Sequence, residues 1–276
     1  MKHNLKISLI IVLLFLVAQF IGLFIIDSYL EKELPFGIER PEIEENISYL
    51  PLIFAIIFAT AIALVLIKFG AVKVWKIWFF VASVYLLTIA FGSFLIQGLA
   101  LLGAIFFTSL RYFRPSVIAH NFVELFIYSG ISVLFVPILN VFSMIVLLVL
   151  IAIYDMIAVW KTKHMIKMAE FQAKAKVFAG LAIPYARKNI KTKKAKKRVK
   201  VFTKTAILGG GDVGFPMLFA GVILKTSGFL DASLVAVFSA IALLFLLVFS
   251  KKNKFYPAMP FIGAGSLLGY LIGLLI

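Results

Sequence analysis

Long apolar runs separated by short polar connections dominate the pattern of this chain. Nine of them approach the roughly 20 residues that an α-helix needs to cross the hydrocarbon core of a bilayer. Little polar sequence separates the third from the fourth, near Gly92 and Ser93. We predict an all-α polytopic membrane protein with nine transmembrane helices. The predicted spans are 5–26, 50–67, 74–90, 91–110, 117–136, 138–160, 205–224, 232–250 and 255–276.

Composition supports this class, since 63% of the 276 residues are hydrophobic. We divide the chain into six spans within 1–160, a basic cytoplasmic loop at 161–204 and three spans within 205–276. The first apolar run exceeds the hydrophobic segment of a signal peptide and lacks a small-residue cleavage site, so an uncleaved span is expected. The chain has no cysteine, which excludes disulfides and thiolate catalysis.

The distribution of Lys and Arg orients the predicted helices. If nine spans alternate, only Lys32, Arg40 and Lys225 of the 28 basic residues fall on the side opposite the N-terminus. Because basic loops stay in the cytoplasm, we predict a cytoplasmic N-terminus and an extracytoplasmic C-terminus in the cell membrane.

The net charge of +16 does not indicate a nucleic-acid partner, since no fold or aromatic platform for reading bases accompanies it. Contact between the basic loop and anionic membrane lipid is the better interpretation.

Asp155 and Asp212 are acids inside apolar runs of membrane length. A carboxylate at such depth is costly and is usually retained because it performs chemistry or moves an ion. Asp155 lies six residues before Lys161 on an inward span, and Asp212 lies eight residues after Lys204 on an outward span. These separations correspond to depths of ~9 Å and ~12 Å along a helix. The two carboxylates are therefore expected at one level.

Two irregular segments lie at the same depth. Three consecutive glycines precede Asp212, and because glycine is a poor helix former the backbone there can unwind or let another peptide approach closely. A Pro-Ala-Met-Pro sequence at residues 257–260 begins the ninth span, where a proline pair commonly starts a helix.

These motifs, taken in order, resemble the signatures of the presenilin and signal peptide peptidase family of intramembrane aspartyl proteases. Tyr154-Asp155 is similar to the YD motif, the glycines and Asp212 to the GxGD motif, and residues 257–259 to the PAL motif. Met259 replaces the leucine of that last motif, which conserves volume. The nine-span layout and the predicted orientation are similar to those of presenilin, and the chain is most like an archaeal presenilin homologue.

The resemblance implies an intramembrane aspartic endopeptidase that hydrolyses peptide bonds within transmembrane segments and uses no cofactor. Asp155 and Asp212 would be the catalytic dyad, sharing one proton while the ionised partner activates a water molecule. A substrate helix must be unwound, and strand pairing with an exposed backbone segment is one way to hold it. The apolar stretch 177–185 is one candidate for such pairing. The residues expected to bind substrate are Tyr154, Gly209, Gly210, Gly211, Pro257, Ala258 and Met259.

Other functions compete with this one. A proton- or cation-coupled transporter also uses intramembrane acids beside broken helices, although residues 1–137 and 138–276 show no internal repeat. A prepilin-type peptidase shares the GxGD motif but is expected to carry its other aspartate near a cytoplasmic loop. A membrane scaffold or chaperone with the same fold is a non-enzymatic alternative.

The remaining polar residues of the spans suggest structural roles. His120 and Glu124 are four residues apart on the fifth span, and we interpret them as an intrahelical pair. They do not form the His-Glu-x-x-His motif of a zinc protease. No metal site is predicted.

Overall fold

The structure of the protein, a computed structural model, describes residues 5–37, 39–40, 48–161, 168, 171–172, 177–191, 198–250 and 256–276. Nine α-helices in these residues follow the order of the nine predicted spans, and an antiparallel β-hairpin lies between the sixth and the seventh helix. The helices are α1 (Leu5–Leu30), α2 (Tyr49–Lys68), α3 (Val72–Gly92), α4 (Gln97–Phe113), α5 (Val117–Phe135), α6 (Val141–Met156), α7 (Gly210–Ser227), α8 (Phe229–Phe249) and α9 (Met259–Gly273). The strands are β1 (Gly180–Lys191) and β2 (Arg198–Gly209).

Six of these helices are long and apolar enough to cross a membrane, namely α1, α2, α3, α5, α6 and α8, where α5 and α6 are counted with the turns that follow them. Helix α9 is apolar but has 15 residues. Helix α4 has 17 residues, and α7 carries both Asp212 and Lys225. Helix α2 leaves most of its apolar surface uncovered, because only 6% of its span is buried. Such uncovered apolar helices suit lipid surroundings, and the prediction of a helical polytopic membrane protein is confirmed.

The hairpin lies where the sequence predicted a basic loop and the start of the seventh span. Gly180 pairs with Gly209 at one end of it, and Lys191 pairs with Arg198 at the other. β-branched residues favour strands, and in β2 they recur at every second position, as Val199, Val201, Thr203, Thr205 and Ile207. Helix α7 therefore begins at Gly210 and not at Thr205.

Helix α6 changes its winding immediately after Asp155. The regular helix ends at Met156, and Ile157–Lys161 form a π turn, whereas the sequence predicted one uniform span to residue 160. A π turn accommodates an extra residue in a helix and is frequent at functional sites.

Helix α1 lies at the centre of the bundle, in contact with α5, α7 and α8. Phe15, Ala18 and Gln19 on its inner face are fully buried. The Gln19 side-chain amide donates a hydrogen bond of 2.9 Å to the backbone carbonyl of Val213. Because Val213 follows Asp212, α1 supports the turn of α7 that carries this acid.

Candidate active site

A cavity of about 520 Å³ is bordered by α2, α3, α5, α6 and α7. Its wall is mainly apolar, and both acids singled out in the sequence line it. The sequence-predicted residues in the lining are Tyr154, Asp155, Gly209, Gly210, Gly211, Asp212 and Met259. The fold thus brings residues from three separate parts of the chain to one chamber.

Asp155 lies near the end of α6 with only 5% of its surface exposed. The backbone N–H of Met259 donates a hydrogen bond of 3.1 Å to its Oδ2 atom, and the backbone of Ala258 also hydrogen-bonds this carboxyl. Met259 is the first residue of α9, where unpaired N–H groups and the helix dipole favour a negative charge. The Pro-Ala-Met segment therefore contributes its main chain to the position of Asp155.

Asp212 lies in the first turn of α7 and is 8% exposed. The backbone of Gly209 hydrogen-bonds its carboxyl, and the Asp155 carboxyl is near enough to act on it electrostatically. Two acids from different helices thus line one largely apolar cavity.

The three glycines form the junction between β2 and α7. Gly209 is the last residue of β2 and precedes the first turn of α7 in an extended conformation. A methyl group on Gly210 would lie 2.9 Å from the hydroxyl of Tyr128 on α5. The glycines therefore start a helix rather than unwinding one, and Gly210 allows α5 to approach the turn that bears Asp212 closely.

Tyr154, Pro257 and Ala258 lie differently with respect to the cavity. The Tyr154 hydroxyl lies 3.2 Å from the hydroxyl of Thr60 on α2, and both residues line the chamber. Pro257 and Ala258 lie outside its lining in the described part of the chain. Ala258 immediately precedes α9 and reaches Asp155 through its backbone.

The structure adds Glu124 and Tyr128, which line the cavity beside Asp212. His120 and Glu124, interpreted as an intrahelical pair, lie near enough for the Glu124 charge to act on the His120 ring, but their direct bonds are to other elements. Glu124 forms an ion pair of 2.6 Å with Arg111 of α4, and the His120 ring lies 2.8 Å from the Gly180 carbonyl. Both side chains reach across to other elements because the buried face of α5 meets α4 and β1. The sequence signal for this ion pair is that Glu124 is a third carboxylate within an apolar span and that Arg111 is a cation at the end of the preceding span.

This arrangement suits acid–base chemistry on a peptide bond. Two carboxyl groups buried near each other do not both ionise at low cost, and such a pair is suited to act as base and acid together. Among the described residues, no three His, Asp or Glu side chains are grouped so as to hold a metal ion.

Two aspartates that line one cavity of a multi-helix membrane fold are the arrangement expected of an intramembrane aspartyl protease. A family model described as signal-peptide peptidase, presenilin aspartyl protease matches residues 12–276. The chain belongs to this family. It is therefore an integral membrane hydrolase that acts on transmembrane substrates, and the predicted family, enzyme class and function are confirmed.

Solved structures with the same fold agree with this assignment. Two structures described as a presenilin family intramembrane aspartate protease, in C222 and P2 crystal forms, are similar to the chain. The first has a TM-score of 0.67 and 22% identity, over 97% of this chain and 98% of that one. The second has a TM-score of 0.65 and 21% identity, over 96% of both chains. At this identity the likeness shows a shared fold. No curated protein sequence matches the chain.

Proposed function

We propose that Asp155 and Asp212 are the catalytic dyad of this protease. The observation that carries the proposal is that both carboxyls line one cavity and interact with each other there. Each acid is held by a backbone hydrogen bond from a different element, Asp155 by Met259 of α9 and Asp212 by Gly209 of β2.

Hydrolysis then needs one ionised and one protonated carboxyl. The ionised aspartate takes a proton from water as the water oxygen bonds to the scissile carbonyl carbon, while the protonated aspartate donates a hydrogen bond to the carbonyl oxygen. The carbon–nitrogen bond of the tetrahedral intermediate breaks as a carboxyl proton passes to the departing amine. The products are a carboxylic acid and an amine, and no covalent enzyme intermediate forms.

The substrate backbone is held beside the dyad by strand pairing. In the described residues the sheet has two strands, so each strand has one edge without a strand partner. Ile207, near the end of β2 that leads to Asp212, has 53% of its surface exposed. An unwound transmembrane segment that extends this edge would pass the glycine junction and Met259, which is the role expected for these residues.

The orientation of the enzyme in the cell membrane follows from its charge. The basic loops are cytoplasmic, the N-terminus is cytoplasmic and the C-terminus is extracytoplasmic. The basic region between α6 and α7 contacts anionic lipid head groups and not nucleic acid.

Proteolysis by purified enzyme in lipid vesicles, with a single-span peptide as substrate, tests the dyad. Asp155→Asn and Asp212→Asn each remove an ionisable carboxyl with almost no change of shape, and we expect each to lower kcat by about 10³-fold or more. Asp231→Asn is the matched control, because Asp231 lies at the start of α8 and outside the cavity lining.

The same vesicles distinguish the alternative functions. Substantial cleavage by either dyad variant would overturn the proposed chemistry. Movement of protons or cations across the vesicle membrane in the absence of substrate, lost in the two variants, would indicate a transporter.

A further inference from the structure

Polar side chains of α4 and α5 hold the start of the hairpin. Asn121 makes two hydrogen bonds of 2.9 Å with the backbone of Ala182, one from its amide to the carbonyl and one accepted from the N–H. The His120 ring donates to the Gly180 carbonyl over 2.8 Å. We call Arg111, His120, Asn121 and Glu124 the hairpin dock.

Glu124 is the centre of the dock and is fully buried. Its Oε2 atom accepts a hydrogen bond of 2.8 Å from the Gly180 N–H and another from the Tyr128 hydroxyl. Its Oε1 atom pairs with Arg111, whose guanidinium also donates to the Phe178 carbonyl over 2.6 Å. A buried ion pair is expensive to desolvate, and stability alone is often served equally well by apolar residues of the same size.

The dock provides hydrogen-bond partners for backbone groups that would find none in hydrocarbon. Gly180 begins β1 with a φ of +145°, and its N–H would have no partner in an apolar environment without Glu124. A methyl group at Gly180 would lie 2.2 Å from the Leu208 carbonyl oxygen, so the two strands are in close contact at this point. The dock therefore fixes the backbone conformation at Gly180, where the two strands are in close contact.

That backbone leads directly to Asp212. Gly180 pairs with Gly209 across the hairpin, and the Gly210 N–H donates to the Ala179 carbonyl over 3.2 Å. Gly209 in turn hydrogen-bonds the Asp212 carboxyl. On its other side Gly210 lies against Tyr128, which is itself bonded to Glu124.

We propose that Arg111 and Glu124 are positioning residues for proteolysis, whose ion pair docks the hairpin so that the β2–α7 junction presents the Asp212 carboxyl to Asp155. This inference rests on the proposed catalytic role of Asp212. Small displacements of a reacting group lower the rate of a chemical step far more than they weaken substrate binding. The dock acts on kcat through geometry and touches no reacting atom.

The test compares Arg111→Met and the double variant Arg111→Met/Glu124→Met with the wild type in vesicles. We expect kcat to fall about 10- to 100-fold while KM changes less than about threefold. Arg114→Met is the matched control, because Arg114 is an exposed cation just beyond the same end of α4, and it should leave both constants unchanged.

A second readout separates positioning from general loss of structure. The hydroxyl group of a peptide inhibitor that carries one at the scissile position hydrogen-bonds to both aspartates. Its deoxy analogue binds through the remaining contacts alone. The affinity ratio of the two should fall with kcat in the dock variants. A double variant with kcat within about twofold of wild type, or a rise in KM alone, would overturn the inference.

Asn121→Ala keeps the inference testable if the Arg111 variants fail to fold. It leaves the ion pair intact and removes the two hydrogen bonds to Ala182, so we expect a smaller fall in kcat, about three- to tenfold, with KM unchanged. An unaltered kcat in a folded Asn121→Ala protein would contradict the dock. Wild-type enzyme and Asp212→Asn in the same series show separately whether the dyad itself is correctly assigned.

Discussion

The backbone N–H of Met259 and the carboxyl of Asp155 are joined by a hydrogen bond of 3.1 Å across a sequence separation of 104 residues. The contact fixes the start of α9 against the end of α6. Because the donor is a main-chain group, the position of the Asp155 carboxyl depends on the backbone of residues 258 and 259 more than on the chemistry of the Met259 side chain.

Met259→Leu should therefore be nearly silent. The side chain is 3% exposed, and exchange of methionine for leucine conserves volume. We expect kcat/KM for the single-span substrate within about twofold of wild type. Met259→Asp, which adds a carboxylate next to Asp155, should abolish cleavage. A loss of more than tenfold in the leucine variant would mean that the thioether itself is required.

Gly210 and Gly211 are adjacent in the same motif but have different surroundings. A methyl group on Gly210 meets Tyr128 at 2.9 Å, whereas one on Gly211 meets the Phe215 ring at 3.5 Å, an ordinary contact. We expect Gly210→Ala to lower kcat/KM about tenfold or more and Gly211→Ala to lower it less than about threefold. Measurement of both with one substrate provides the control, and equal effects would contradict the close approach of α5.

The hydroxyl contact between Thr60 and Tyr154 links α2 to α6, the helix that bears Asp155. Thr60→Val and Tyr154→Phe should each destabilise the protein by about 0.6 kcal/mol, the usual size for such a bond between membrane helices. The double variant should cost no more than either single one, which thermal unfolding in detergent would show. If Tyr154→Phe slows cleavage far more than Thr60→Val, the hydroxyl serves the substrate or the dyad, as the sequence motif predicted.

The sequence was sufficient to predict the helical order and to single out the two acids that line one cavity. Apolar runs of membrane length are a strong signal, because lipid requires every backbone group in a span to be satisfied internally. Asp155 and Asp212 were conspicuous because few other acids lie in such runs. Their shared cavity could be anticipated from matched depth, although the depth of Asp212 was derived from a helix where residues 205–209 continue a strand.

The hairpin and its dock could not be predicted in the same way. The basic composition around β2 is typical of a cytoplasmic loop and masks its alternation of β-branched residues. Arg111 and Glu124 lie on different helices, and only the packing of α4 against α5 brings their charges together. Local spacing on one helix pointed instead to His120, whose ring in fact bonds the hairpin.

The length of the hairpin sets its two ends far apart. Each strand has 12 residues, which corresponds to about 40 Å of extended chain. One end of the hairpin leads into the turn that bears Asp212, and the other end is the Lys191–Arg198 pair. The Lys191–Arg198 pair is therefore remote from Asp212 in space but joined to it by continuous, paired backbone.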